Sequence, residues 1–172
     1  MSKSPTDNPP YLRSRWFEDL PIGEFHVFGS YTFSEKEIVD FGQRYAPQVY
    51  HTEPELARDT YYRGLVASGW QVCSVWMRLM VAYMEHFAQG VNDGRRNGGG
   101  VGINKLKWFE PVRPGHTLTY TYEIIAKQER IVRGRWGIIT SRNEVFNQYN
   151  KLVCRFEVDI LAERNPALLN DN

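Results

Sequence analysis

The chain has 172 residues, 42% apolar and 14% aromatic, and its 21 Lys and Arg against 20 Asp and Glu leave a net charge of +1. That is enough apolar material to bury one core of ordinary size, and too small a basic excess for a general binder of nucleic acid or of a membrane surface. The two cysteines, Cys73 and Cys154, make neither a disulfide framework nor a zinc ligand set, so a reduced, cytoplasmic protein is expected.

Residues 1–15 are rich in Pro, Ser and Asn, lack the apolar stretch of a secretory signal, and read as a flexible arm. Residues 16–163 read as one domain, and 164–172 as a tail without a lipidation or retention motif. Within the domain, 25–33 (FHVFGSYTF) has the aromatic and β-branched content of a strand. Ser34 and Glu37 then form a capping box, in which each side chain satisfies an orphan amide at the helix start. Ile38, Phe41, Gly42 and Tyr45 follow at helical spacing, and Ala46-Pro47 ends the helix because the residue before proline avoids the α region. Thr52 and Glu55 have the spacing of a second box and predict a short helix to about Asp59.

Residues 65–84 match the ~20 residues of a membrane span, but Arg78 and the polar Ser68, Gln71 and Ser74 lie inside the stretch. A helix over 70–87, enclosed by protein, is predicted instead. The glycine-rich 89–102 reads as a mobile loop. Beyond it the period becomes two. Leu118, Tyr120, Tyr122 and Ile124 share one face of a strand over 117–125, and Leu152, Cys154, Phe156, Val158 and Ile160 share one face over 152–160, with Val153 on the other. Between them, 131–146 reads as one long strand bulged at Gly134 or Gly137, and 147–150 as a hairpin turn. Helices gather in the first half and antiparallel strands in the second, which predicts an α+β fold with one sheet layer on the long helix.

Several chemical devices are missing. The glycines at 98–102 lead into a strand, so no helix terminus is offered to a phosphate, and the four histidines have no helical ligand spacing, so no metal site is expected. What remains is residues 41–70. There His51 lies just before Thr52, and Ser68 and Gly69 open the apolar helix, whose first amides and dipole suit a carbonyl oxygen. A histidine base beside such an amide could direct water at an acyl compound; the alternative is that His51 only bonds the loop backbone. Ser68 either donates near that carbonyl or caps the helix. Tyr45 and Tyr50 either present hydroxyls to the site or pack. A basic run, Lys127, Arg130, Arg133, Arg135 and Arg142 against Glu129, either meets phosphates or forms a solvated face.

Residues 41–70, with the later Lys107-Trp-Phe-Glu-Pro-Val-Arg-Pro-Gly-His-Thr-Leu118, resemble the MaoC family of acyl-CoA dehydratase-like domains, which includes the (R)-specific enoyl-CoA hydratases. The resemblance implies a hotdog fold, an antiparallel sheet wrapped around a long central helix. It also implies an acyl-CoA thioester as substrate or ligand, no cofactor beyond the coenzyme A of that substrate, and a homodimer or dimer of dimers with sites at the interface. The family's catalytic His falls on His51 and its carbonyl-binding amide on Gly69, whereas its catalytic Asp falls on Ala46, its Asn-Pro on Gln48-Val49, and the Asp of its later motif on His116. With Ala46 there, half of an acid–base pair is gone. Glu53, two residues past His51, could replace it or else favour the dipole of the short helix, and Asp59 at the end of that helix is the other candidate carboxylate. Arg113, Arg133 and Arg135 are candidates for the coenzyme A phosphates. Three functions follow as expectations: a hydratase or dehydratase with weakened catalysis, a non-catalytic acyl-CoA or hydrophobic-ligand binder, and a hotdog thioesterase.

Overall fold

A computed structural model describes residues 15–88, 98–132 and 134–169. Five strands form one antiparallel sheet in the order β1-β3-β4-β5-β2: β1 (Phe25–Thr32), β2 (Gly99–Trp108), β3 (Thr117–Val132), β4 (Trp136–Asn147) and β5 (Leu152–Glu163). The helices are α1 (Glu35–Tyr45), the single turn α2 (Val49–Thr52), α3 (Gly69–Ala88) and a terminal turn, α4 (Pro166–Leu169). α3 packs on the sheet, its Val72, Val75 and Trp76 sharing one core with Leu118, Tyr120, Ile139 and Phe156. This is the predicted α+β arrangement.

The local signals that survive are those satisfied within a few residues. Ser34 Oγ accepts from the Glu37 amide and the Glu37 carboxylate accepts from Ser34 N–H, so α1 opens on the predicted box and closes at Ala46. In β3, Leu118, Tyr120, Tyr122 and Ile124 are all buried against α3, and burying a large apolar side chain stabilises by about 1.5–3 kcal/mol. At the β4–β5 turn, Asn147 Oδ1 accepts from Tyr149 N–H and Lys151 N–H, both at 3.0 Å, and Asn150 takes a left-handed φ of 57°. One polar tie joins helix to sheet through the core: Trp76 Nε1 donates to Asn143 Oδ1 at 2.9 Å, while the Trp76 ring meets Phe156 edge-on at 5.0 Å.

Four expectations are corrected. Residues 131–146 are not one strand: Val132 ends β3, Trp136 begins β4, and Gly134, with φ of +74°, lies in the turn between them. Thr52 does not cap a helix; it is the last residue of α2, its hydroxyl donates back to Gln48 O at 3.3 Å, and a separate 3-10 turn spans Leu56–Asp59. The glycine stretch is not all loop, since Gly99 to Gly102 already belong to β2 and pair with β5; the remainder of that predicted loop, 89–97, lies outside the described residues. Val153 is buried together with its neighbour Cys154, because the β4–β5 register shifts between Val145 and Phe146 and leaves Val153 the unpaired extra residue, whose carbonyl accepts from Phe109 N–H instead.

Candidate functional site

α1, α2 and the segment leading into α3 build the site around His51. Gly42 lies against the His51 backbone so closely that a Cβ there would collide with the His51 carbonyl. The chain crosses itself at this point: Val66 N–H donates to Tyr50 O at 3.0 Å, and His51 Nδ1 donates to Val66 O at 2.7 Å. That bond places the imidazole proton on Nδ1 and leaves Nε2 with its lone pair. Nε2 has no partner among the described residues, yet it is not one of the sealed, unpaired atoms of the interior. Burial pushes the imidazole below its ordinary value, with the Val66 carbonyl opposing. His51 is therefore a neutral base with one open nitrogen. Tyr50 meets its ring edge-on at 4.5 Å and packs in turn against the tilted ring of Tyr62.

The same segment continues into the start of α3. Ala67 N–H donates to Val112 O at 2.8 Å, which docks this entry on the Pro-Val-Arg-Pro turn. Ser68 is buried; its carbonyl accepts from Gln71 and Val72, and its hydroxyl accepts from Trp70 N–H at 3.3 Å. Gly69 is the first helical residue, and no hydrogen bond takes its N–H among the described residues. Trp108, at the end of β2, lies over Gly69 and donates its indole N–H to Gly69 O at 3.2 Å; a Cβ on Gly69 would overlap the indole. So the imidazole of His51 is tied to Val66, three residues before Gly69 along the chain.

The other predicted residues are placed elsewhere. Glu53 is exposed, and no hydrogen bond or ion pair joins its carboxylate to His51. Ala46 shows only backbone bonds, to Gly42 and from Gln48. Arg113 donates to Tyr62 O at 2.6 Å and so holds the loop beside Tyr50. Arg135 is paired with the buried Glu163 carboxylate at the other end of the sheet, where Trp136 is in register with Glu163. Arg133 lies outside the described residues. Of the basic run, Lys127 stands over the Phe17 ring and Arg142 reaches Glu123. Tyr45 is exposed and pairs with the Phe41 ring. Trp108 and the Val66 carbonyl are parts of the site that sequence reading did not find: the first arrives from another strand and the second is main chain. Among the described residues no group of His, Cys, Asp and Glu could hold a metal ion, and no helix is long and apolar enough to cross a membrane.

A single antiparallel sheet packed on one long helix defines the class by its fold, a hotdog domain. Residues 22–156 match the family model of the FAS1-like dehydratase domain region, and the chain belongs to that family of MaoC-like dehydratases. The MaoC-like dehydratase from Rhodospirillum rubrum is 29% identical, with 88% of this chain and 99% of that one covered and a TM-score of 0.76. The protein YdeM of Bacillus subtilis (strain 168) is 26% identical over 150 residues, spanning 86% of this chain and 98% of that protein. The R-hydratase of Pseudomonas aeruginosa, at 20% identity, with 87% and 86% covered and a TM-score of 0.60, shares the fold.

Proposed function

We propose that the protein adds water to, or removes it from, an acyl-CoA thioester, with His51 as the single acid–base group. The observation that supports this reading most is the His51 imidazole, neutral, bonded to main chain through Nδ1 and open at Nε2. In hydration, the thioester carbonyl accepts from Gly69 N–H at the positive end of α3. His51 Nε2 takes a proton from water, the hydroxide oxygen bonds to the β-carbon, and the electron pair of the α,β double bond moves toward the carbonyl. The imidazolium then returns its proton to the α-carbon, so Nε2 ends neutral. In the family this exchange is shared with an aspartate. Here Ala46 leaves His51 to make both transfers, so catalysis weaker than that of a complete pair is expected.

The same reading includes a homodimer. The outer edge of β2 has no strand partner among the described residues, and Val101, Ile103, Trp108 and Phe109 are exposed along it. Unpaired edges with apolar side chains are covered in native proteins. Light scattering is expected to show a dimer, and a monomer at all concentrations would remove this part of the reading.

The test is hydration of short and medium trans-2-enoyl-CoA by the wild-type protein and His51→Ala. The expected loss is about 10²–10⁴-fold in kcat, the usual contribution of a positioned acid–base group. Activity that survives the substitution would refute the mechanism. Free thiol released without hydration would indicate a thioesterase instead. A second reading, an acyl-CoA binder without turnover, is favoured by Ala46 and by the absence of a carboxylate at His51 among the described residues; it predicts thermal stabilisation by acyl-CoA with no product.

A further inference from the structure

A run of rings leads from His51 to the surface. Tyr50 meets the imidazole at 4.5 Å, Tyr62 lies 5.0 Å beyond Tyr50, and Tyr61 meets Tyr62 edge-on at 5.3 Å. His51 is buried, Tyr50 and Tyr62 are half-buried, and Tyr61 is 93% exposed. The run therefore ends on an aromatic face open to a flat ligand.

The loop that carries Tyr61 is firmly built. The Ala57 carbonyl accepts from Thr60 N–H, from the Thr60 hydroxyl at 2.7 Å and from Gly64 N–H at 2.9 Å, and the Thr60 carbonyl accepts from Arg63 N–H at 3.0 Å. Arg113 fastens Tyr62 O, and a Cβ on Gly64 would meet the Arg113 guanidinium at 3.0 Å. Within this loop Arg63 has a left-handed φ of 50°. Glycine adopts that conformation freely, whereas a side chain strains it. Arg63 is nevertheless exposed, and no hydrogen bond or ion pair engages its guanidinium among the described residues. Its neighbours are engaged, Arg58 with Glu55 and Arg113 with Tyr62 O. A strained arginine without an internal partner points to a partner outside the chain.

The three ring steps put Tyr61 no more than about 15 Å from the His51 ring, within the ~20 Å that the arm between a coenzyme A sulfur and its ribose spans when extended. The 3′-phosphate sits on the same ribose as the adenine, so a base stacked on Tyr61 brings that phosphate toward Arg63, two residues along. We propose that the 60–64 loop holds the nucleotide end of the coenzyme A ligand, with the adenine stacked on Tyr61 and the 3′-phosphate paired with Arg63. The proposal rests on the acyl-CoA reading for its ligand, and not on the chemistry assigned to His51.

Calorimetry with coenzyme A and with dephospho-coenzyme A, which lacks the 3′-phosphate, tests it on the full-length protein. Tyr61→Ala is expected to weaken both ligands about tenfold, the worth of one stacked base, while Tyr61→Phe keeps the ring and binds within about twofold of the wild type. Arg63→Gly is expected to weaken coenzyme A about fivefold or more and to leave dephospho-coenzyme A within about twofold. Glycine suits the left-handed backbone better than arginine does, so weaker binding in that variant is not a folding defect. No binding of coenzyme A, an affinity unchanged in Tyr61→Ala, or equal losses of both ligands in Arg63→Gly would each overturn the proposal. Hydration of trans-2-butenoyl thioesters separates it from the reading it rests on. Tyr61→Ala is expected to lower kcat/KM about tenfold for the coenzyme A ester and to leave the pantetheine ester unchanged. Hydration of both esters that ignores Tyr61→Ala would overturn the nucleotide site and keep the reading. Binding of coenzyme A that depends on Tyr61, without any hydration, would keep the site and overturn the hydratase chemistry.

Discussion

Two buried histidines in this molecule have opposite surroundings. His26, on β1, is enclosed: Nε2 lies 2.6 Å from Glu24 Oε1 and Nδ1 lies 3.0 Å from the Tyr83 hydroxyl. His51 has one bond, to a carbonyl of the main chain, and an open Nε2. Both rings are nearly solvent-free, at 2% and 7% exposure. Burial alone thus says nothing about chemistry. A histidine with a carboxylate at one nitrogen and a hydroxyl at the other is tied to structure on both sides, whereas a histidine fixed through one nitrogen has the other to give. Sequence reading sought a carboxylate for His51 in Glu53, whereas the carboxylate bonded to a histidine in this fold is Glu24, at His26.

The sharpest way to break this contrast is to exchange the two residues' fates. His51→Gln is expected to lower kcat by about 10²–10⁴-fold, equivalent to about 2.7–5.4 kcal/mol of barrier, with little change in unfolding midpoint. A variant that keeps its rate removes His51 from the chemistry. His26→Ala should do the reverse. It leaves the buried Glu24 with one partner fewer and is expected to cost about 3 kcal/mol in denaturant unfolding, while kcat per folded molecule stays within about twofold. A large loss of kcat in folded His26→Ala would mean that the two histidines act together.

Smaller effects sharpen the comparison around Gly69. Gly69→Ala forces a methyl group into the Trp108 indole and is expected to cost about 1–3 kcal/mol, recovered in part by Trp108→Ala; no recovery in the double variant would show that the two are not coupled. The smallest effects are those of pH. His51 has a lowered value in the folded state, so the base is already neutral where an ordinary histidine is half charged, and the acid limb of kcat/KM is expected below 6.5. Burial opposes ionisation of Glu24, but hydrogen bonds from His26 and Arg15 outweigh it and hold its carboxyl below its ordinary value. Its share of stability is therefore full above about 4.5, the value of the free carboxyl, and is lost as pH falls toward the lower folded value. A rate that titrates together with this stability loss would tie the His51 site to Glu24.

What could be read from the chain follows the range of the interactions involved. The Ser34–Glu37 box, the alternation from Leu118 to Ile124 and the start of α3 at Gly69 are decided within one helical turn or one strand, and each is found where it was expected. The β3–β4 turn was missed because its Arg-Gly-Arg lies in a run of strand-like residues with no Asn-Gly or Asp-Gly to mark it. The start of β2 was missed because glycines have no strand preference of their own, and their pairing with β5 is decided some sixty residues away along the chain. Thr52 misled because its spacing to Glu55 is that of a cap, while its hydroxyl had a nearer acceptor in the turn behind it. At the site, the sequence offered His51, Ser68 and Gly69 as candidates in one segment; the Val66 acceptor was not legible, because a carbonyl has no letter in the sequence. The Glu24–His26–Tyr83 set escaped because Tyr83 comes from a different element, 57 residues beyond His26.

The Val66 carbonyl has a consequence for how this site tolerates change. An aspartate or glutamate that orients a histidine is lost by a single substitution, whereas every amino acid at position 66 supplies the same oxygen. Substitutions such as Val66→Ile or Val66→Ala alter packing and leave the acceptor in place. The imidazole's tautomer is therefore insulated from mutation at the residue that sets it. The orientation of the His51 imidazole is thus kept by a bond no codon encodes.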